Sequence, residues 1–335
     1  MRAVVFHEHG GVDKLNYVTD FPDPAYGDDE VLVRVKAVSL NYLDIFSRRG
    51  MPGIKIPFPM ITGGDIAGTV EKLGRNVTGW KPGDRVSIYP IDWVRGGMIG
   101  ESKPGGMAEL VNAHKSQLIA LSPKVSFEDA ASLPVAYGTA YRMVMARGQI
   151  KKGEKVLVLG ASGGVGTGVV LLAKMLGAEV VACASSDDKL QRLKEIGADH
   201  LINYAKSDFV KECWRIAGKP KFVGGLEGID VVINYTGGDT WAPSLRVLKK
   251  GGRMLTCGAT AGFDPKTDIR YIWTYELNVM GSNGWMPDDQ VALLKLVEEG
   301  RLKPVIDKVM PLTEAREAER IIEDREVFGK IVLVP

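Results

Sequence analysis

The sequence predicts an α/β protein that joins a β-rich domain to a doubly wound parallel sheet. Three observations carry that reading. The first 125 residues are dense in short β-like runs broken by Gly and Pro. From residue 154 onward, strand-like and helix-like runs alternate. At 155–169, "KVLVLGASGGVGTGV", an apolar strand leads straight into a glycine-rich turn and a helix start. A length of 335 residues suits about two domains.

In chain order, "VLVRVKAV" (31–38) alternates apolar and polar residues, the mark of a half-buried strand. "IAGTVEKLG" and "DRVSIY" follow as further strands. Pro82 and Gly83 sit in "KPGDRV" where a type II turn wants them. At "SFEDAASLPVAYGTAYRMVMARG" the spacing turns helical, with Ser126 as N-cap and Asp129 three residues on. Strands are then expected at 155–159, 179–183, 200–203, 229–233, 252–256 and 277–281. Helices are expected at 164–177, 187–196, 207–217, 240–249 and 288–299. A last strand, in "FGKIVLVP", is expected to return to the first domain.

Composition excludes several classes. Hydrophobic residues are 45% and charged residues 25%, ordinary for a soluble globular chain. The formal charge is +2, and no basic stripe interleaved with aromatics points to nucleic acid. Residues 156–173 carry no charge, but their five glycines split them into strand, turn and helix, so no membrane span is expected. The N-terminus lacks the apolar core of a signal peptide, which predicts a cytoplasmic protein. Cys183, Cys213 and Cys257 show no metal-ligand spacing, and His7, His9, His114 and His200 are scattered.

The strongest local signal is Gly160-x-x-Gly163-x-x-Gly166 between strand and helix. Glycines allow a sharp turn and close approach to a pyrophosphate, and the helix start offers free N–H groups to its charge. An NAD site usually ends its second strand on an acidic residue. Here that position is Ala184, followed by Ser185, Ser186 and Lys189, which could hold a 2′-phosphate. Asp187 and Asp188 fit the start of the next helix. The expected cofactor is NADP(H).

These motifs, with "NYLDIFSRRG", "GGDIAGTV", "GWKPGDRV", "AYGTAYRM", "GASGGVG", "LKEIGADHLINY" and "GKIVL", resemble the medium-chain dehydrogenase/reductase superfamily. Within it they are similar to the zinc-independent quinone oxidoreductase branch. The resemblance implies a GroES-like catalytic domain (1–126 and 285–335), a Rossmann domain (127–284) and a cleft between them. It implies a homodimer or dimer of dimers through edge pairing of 277–281. It places the zinc ligands of the metal-dependent relatives at Asn41, Gly64 and near Val135, none of which carries ligand chemistry here. Gly64 is read as leaving room where a metal and its histidine would stand. Asp65 is expected to pair with Arg48 or another cation.

By the same resemblance, Thr139 lies near the nicotinamide, and Ser162, Gly163, Gly164 and Val165 face the pyrophosphate. Ser185, Lys189 and Tyr204 meet the 2′-phosphate. Asn234, Cys257, Gly258 and Ala259 stand at strand ends on the ligand edge of the sheet. Lys330 takes the place of a phosphate-binding arginine. Asn41 and Tyr42 are the candidates for binding the acceptor oxygen, although Asn41 and Asp44 would equally suit holding the loop through backbone hydrogen bonds. Phe46, Trp93, Tyr137, Trp273 and Trp285 are expected to border an apolar pocket for a small carbonyl or quinone substrate. The reading is NADPH-dependent hydride transfer to quinones or α,β-unsaturated carbonyls. A reductase of bulky ketones and a non-catalytic NADPH-binding protein are the alternatives.

Overall fold

The structure, a computed structural model, describes residues 1–51, 53 and 55–335. The chain divides into two compact units, Met1–Ala136 with Pro287–Pro335, and Tyr137–Met286.

In the first unit the strand Glu30–Ser39 is the hub. It pairs antiparallel with Asp65–Leu73, with Leu110–His114 and with the final strand Lys330–Val334. The last of these pairs Val332 with Ser39 and fixes Lys330 beside the residues that follow Ser39: the Leu40 N–H donates to the Ile331 carbonyl at 3.0 Å. The sheet continues through Arg85–Ile88 to Leu118–Ala120 on one side and Ile306–Pro311 on the other. The expected alternation in 31–38 is only partly kept. Val31, Leu32 and Val33 are all buried, and Lys36 alone is exposed. Register shifts at Leu32/Val33 and Val35/Ala37 twist the strand, so that both of its faces become covered. The turn at Lys81–Asp84 closes with Gly83 at φ +91° and the Asp84 N–H on the Lys81 carbonyl, the type II geometry expected there.

Ser126 caps the helix that starts at Phe127, its hydroxyl accepting from the Asp129 N–H at 3.0 Å. The helical run is not regular. It opens into π-helix over Leu133–Tyr137 and again over Arg142–Arg147. Pro134 has no N–H for the ladder, and the Val135 N–H is diverted to a carboxylate of the sheet, Asp65. The unit boundary therefore falls at 136/137, ten residues beyond the expected 126/127. Asp129, ion-paired to Lys303 at 2.6 Å, and Val135 tie this segment to the first unit.

The second unit is a six-stranded parallel sheet: Lys155–Val158, Glu179–Ala184, His200–Asn203, Ile229–Ile233, Leu248–Thr256 and Asn278–Gly281. Numbered in chain order they stand 3-2-1-4-5-6. Helices Gly164–Met175, Asp187–Glu195, Phe209–Ala217 and Trp241–Val247 connect them. Val156, Leu157, Val158, Val181, Val231 and Val232 are all fully buried, as continuous apolar strands covered on both faces should be. The strand order reverses between the first and fourth strands, where open α/β sheets bind ligands at their carboxyl ends. The helix expected at 288–299, Pro287–Glu298 in the structure, belongs to the first unit.

Candidate functional site

At the carboxyl end of Lys155–Val158 the chain turns through Gly160 at φ +69°, a conformation that favours glycine. The Tyr235 hydroxyl donates to the Gly160 carbonyl at 2.6 Å and pins the turn from the fourth strand's loop. Burial pushes that phenol far above its ordinary value, so it stays a donor. Gly163 is the N-cap of Gly164–Met175 and has no side chain to satisfy the first-turn N–H groups. A Cβ there would meet nothing nearer than the Gly160 carbonyl at 3.7 Å, whereas one on Gly166 would stand 2.6 Å from the Ala161 backbone. The first glycine thus makes the turn, the second leaves the helix start open, and the third lets helix and strand pack. Ser162, Gly164 and Val165 are half-buried around this opening.

The second strand ends at buried Ala184, with Ser185 exposed beyond it. Tyr204 is exposed at the end of the adjacent strand, and its N–H reaches the Ala184 carbonyl at 3.2 Å. The structure thus brings Ser185 and Tyr204 together, with Lys189 one helical turn on. Ser186 is differently employed: its hydroxyl caps the helix by accepting the Lys189 N–H. Asp187 is held by Lys206 at 2.5 Å and Asn203 at 2.7 Å. The hydrogen bond from the Lys206 ammonium, then that from Asn203, lowers its carboxyl below the usual range.

Two cofactor assignments are corrected. Asn234 is fully buried. Its amide donates to the Thr240 and Ser244 hydroxyls, and its carbonyl accepts the Thr236 and Gly237 N–H groups at 3.1 and 3.0 Å. All of its side-chain capacity shapes the 234–244 loop, leaving none for a ligand. Lys330 is the second: its ammonium lies inside the first unit and its three hydrogens are all taken there. Cys257, Gly258 and Ala259 do follow the fifth strand's end, as expected. Burial raises the Cys257 thiol to about 12, which suits a small apolar residue and not a nucleophile. Thr139 is buried on the short helix Gly138–Tyr141. Of the expected pocket aromatics, Tyr137 and Trp285 are core residues, Phe46 is half-buried, and Trp93 and Trp273 are exposed.

In the first unit, two of the three positions matched to zinc ligands, Asn41 and Val135, meet on an ion pair made by Asp65 and Lys330. Asp65 is fully buried. It accepts from the Asn41 Nδ2 at 2.8 Å, the Val135 N–H at 2.9 Å and the Lys330 Nζ at 3.4 Å. Lys330, 2% exposed, donates also to the Asn41 Oδ1 at 2.6 Å and the Leu40 carbonyl at 2.7 Å. Burial pushes the Asp65 carboxyl up and the Lys330 ammonium down, and their mutual attraction opposes both shifts. Asp44 lies alongside, accepting the Asn41 N–H at 2.7 Å and the Gly63 N–H at 2.8 Å. Burial raises its carboxyl to about 6 against those two hydrogen bonds. Asp44 therefore holds the loop through the backbone, and Asn41, its partner in the capping box that opens the helix, also bonds through its side chain to Asp65 and Lys330. Tyr42 opens the helix Tyr42–Arg49, half-buried, its ring edge-on to Phe46.

Asp65 pairs with a cation, as expected, and that cation is Lys330. Arg48 is instead fully buried against Glu319 at 2.6 Å and Glu323 at 2.5 Å, and also donates to the Gly10 carbonyl. One reading changes: Gly64 does not leave open space, because a Cβ there would stand 2.9 Å from the Ile99 carbonyl. The 90–106 loop is held by buried Asp92. Burial works against its charge, but Lys103 at 2.6 Å, Arg95 and the Val94 N–H outweigh that and keep its carboxyl well below the usual range. Sequence reasoning missed Tyr235 and the inward turn of Lys330. Tyr235, one residue past Asn234, had no motif to mark it. Lys330 could be found only from its strand partner.

Among the described residues no group of three or more His, Cys, Asp or Glu is placed to hold a metal, and no helix is long and apolar enough to cross a membrane. Residues 27–123 match the alcohol dehydrogenase GroES-like domain family and 164–299 the zinc-binding dehydrogenase family. The chain is 32% identical over 336 residues to acryloyl-coenzyme A reductase of Sulfurisphaera tokodaii, covering 94% of this chain and 95% of that one. It is 29% identical to human quinone oxidoreductase over 343 residues, covering 100% and 98%. A solved NAD-dependent alcohol dehydrogenase superposes with a TM-score of 0.92 at 36% identity, covering both chains fully.

Proposed function

The chain belongs to the medium-chain dehydrogenase/reductase superfamily, and from that premise we propose that it is a zinc-independent, NADPH-dependent reductase of conjugated carbonyl compounds and quinones. One observation carries the reading. Where a zinc site would need three protein donors, there is one carboxylate, already bonded to a lysine ammonium, an amide and a main-chain N–H. That donor set does not fit a zinc ion.

The dinucleotide fits the second unit. The open helix start at Gly163–Val165 would take the pyrophosphate, and Ser185, Lys189 and Tyr204 the 2′-phosphate. No carboxylate stands at the strand end, where one would favour the unphosphorylated ribose. NADPH, when bound, supplies the hydride. In an enone, hydride addition at the β-carbon shifts the double bond and places negative charge on the carbonyl oxygen. The Asn41 amide and the Tyr42 hydroxyl are the groups proposed to meet that oxygen, with the proton coming from Tyr42 or water. The names of the acryloyl-coenzyme A and quinone relatives support a conjugated acceptor. The likeness to an alcohol dehydrogenase supports the second reading, reduction of an isolated ketone.

The strand Asn278–Gly281 is the edge of its sheet, and among the described residues it pairs only with Leu248–Thr256. Edge pairing of two such strands is the proposed route to a dimer. Turnover of 1,4-benzoquinone, 3-buten-2-one and acetophenone with NADPH and with NADH tests the functional reading. Faster reduction of the first two with NADPH supports it. Exclusive turnover of acetophenone would favour the ketone reading, and NADPH binding with no turnover of any acceptor a non-catalytic role.

A further inference from the structure

A buried lysine whose three hydrogens are all committed is doing something other than meeting solvent. Lys330 Nζ donates to the Leu40 carbonyl, the Asn41 Oδ1 and the Asp65 Oδ2. An ammonium has three donors and no acceptor, and an ionised carboxylate accepts only. Asn41 lies between the two. Its carbonyl oxygen is 2.6 Å from the ammonium and its NH2 is 2.8 Å from the carboxylate. Turned over, the amide would set NH2 against NH3⁺ and a carbonyl oxygen against a carboxylate, two repulsive contacts in a buried place. The side chain therefore has one orientation, set by the charges on both sides together with the capping box at the helix start.

That orientation leaves one hydrogen of the Asn41 NH2 without an acceptor among the described residues. Asn41 is half-buried, whereas Lys330 and Asp65 are 2% and 0% exposed, so Asn41 is the member of the cluster that reaches the surface. The ammonium on the carbonyl end also draws electron density away from the nitrogen. It thereby strengthens that N–H as a donor, through the polarisation that runs along hydrogen-bond chains.

We infer that Lys330 is a positioning residue for the acceptor: through its hydrogen bond to the Asn41 carbonyl it holds and polarises the amide N–H that meets the acceptor oxygen. This rests on the reading that Asn41 binds that oxygen. Lys330 touches neither acceptor nor cofactor. It supplies the positive charge at this cluster, one amide removed from the reacting atoms.

The test is a double-mutant cycle on the full-length protein, with 3-buten-2-one as acceptor and NADPH binding followed by fluorescence titration. Lys330→Met is expected to lower kcat by about 10- to 100-fold, the scale of losing an oriented donor to a developing oxyanion. NADPH Kd should stay within about 2-fold, and Lys330→Arg should recover part of kcat. Asn41→Ala should lower kcat similarly, and the double variant should be no slower than Asn41→Ala alone, because both changes act on one group. Should Lys330→Met fail to fold, Lys330→Met with Asp65→Asn removes both buried charges and still frees the amide, so the same kcat loss is expected. Unchanged kcat in Lys330→Met, or losses that add in the double variant, would overturn the inference. So would a roughly tenfold weaker NADPH Kd at unchanged kcat, which would return Lys330 to a phosphate role. Normal turnover by Asn41→Ala would instead remove the acceptor reading, and this inference with it.

Discussion

Asp65→Asn is nearly isosteric, yet the structure predicts that it is costly. Both carboxylate oxygens accept: Oδ1 from the Val135 N–H, Oδ2 from the Asn41 amide and the Lys330 ammonium. An asparagine has one acceptor end only. Whichever way it turns, its NH2 faces a donor, and the ammonium loses its counter-charge in a place that is 0–2% exposed. Breaking a buried pair from one side costs about 3–5 kcal/mol, because the remaining charge is left uncompensated. In a domain of this size that is a fall of roughly 6–20 °C in Tm. Differential scanning calorimetry at pH 7 reads it, on the wild type, Asp65→Asn, and Asp65→Asn with Lys330→Met. The double variant removes both charges and should regain more than about 1 kcal/mol over the single one. A loss below about 1 kcal/mol in Asp65→Asn, or a double variant worse than the sum of its parts, would refute the argument that Asp65 is held as a charged acceptor.

Burial raises Glu319 to about 7 against the pull of Arg48, so its ionisation opposes folding. The stability it contributes is full below about pH 4.5 and is lost as pH rises through about 7, roughly 3 kcal/mol at most. In Glu319→Gln that pH dependence should vanish, so the Tm gap between wild type and variant should narrow from pH 5 to pH 8; a constant gap would contradict it. Ser185→Asp places a carboxylate at the open strand end proposed for the 2′-phosphate, and should raise the KM for NADPH about 10- to 100-fold with little change for NADH. Equal effects on both would argue against that site. Gly64→Ala should cost about 1–3 kcal/mol by chemical denaturation, because its Cβ meets the Ile99 carbonyl at 2.9 Å; a neutral result would show that the backbone there yields.

The second unit was the more legible half. Its strands carry long β-branched runs and its helices have capping residues and amphipathic spacing, so each element announces itself locally. All six expected strands appear within a few residues, in the order a nucleotide-binding sheet requires. The first unit was harder to read. The strand Glu30–Ser39 meets three partners, and its bulges erase the alternation that would mark one face. The Asn41–Asp65–Lys330 cluster combines residues from a helix start, a sheet strand and the chain's last strand. Only the pairing of Lys330–Val334 with Glu30–Ser39 brings them together, and no local pattern encodes a contact of that sequence separation. Motif comparison could say that zinc chemistry was missing at Asn41, Gly64 and Val135. It could not say that a buried lysine stands against Asp65, or that the Val135 N–H was freed by a π-helical break at Pro134.

The central claim is hydride transfer without a metal, supported by an amide that a lysine polarises. The most direct measurement is kcat for NADPH-dependent reduction of 3-buten-2-one, before and after exhaustive treatment with a zinc chelator, with zinc content measured on the same samples. The account predicts turnover that survives chelation unchanged in protein holding far less than one zinc per chain. Activity that falls with chelation and returns in proportion to added zinc would contradict it.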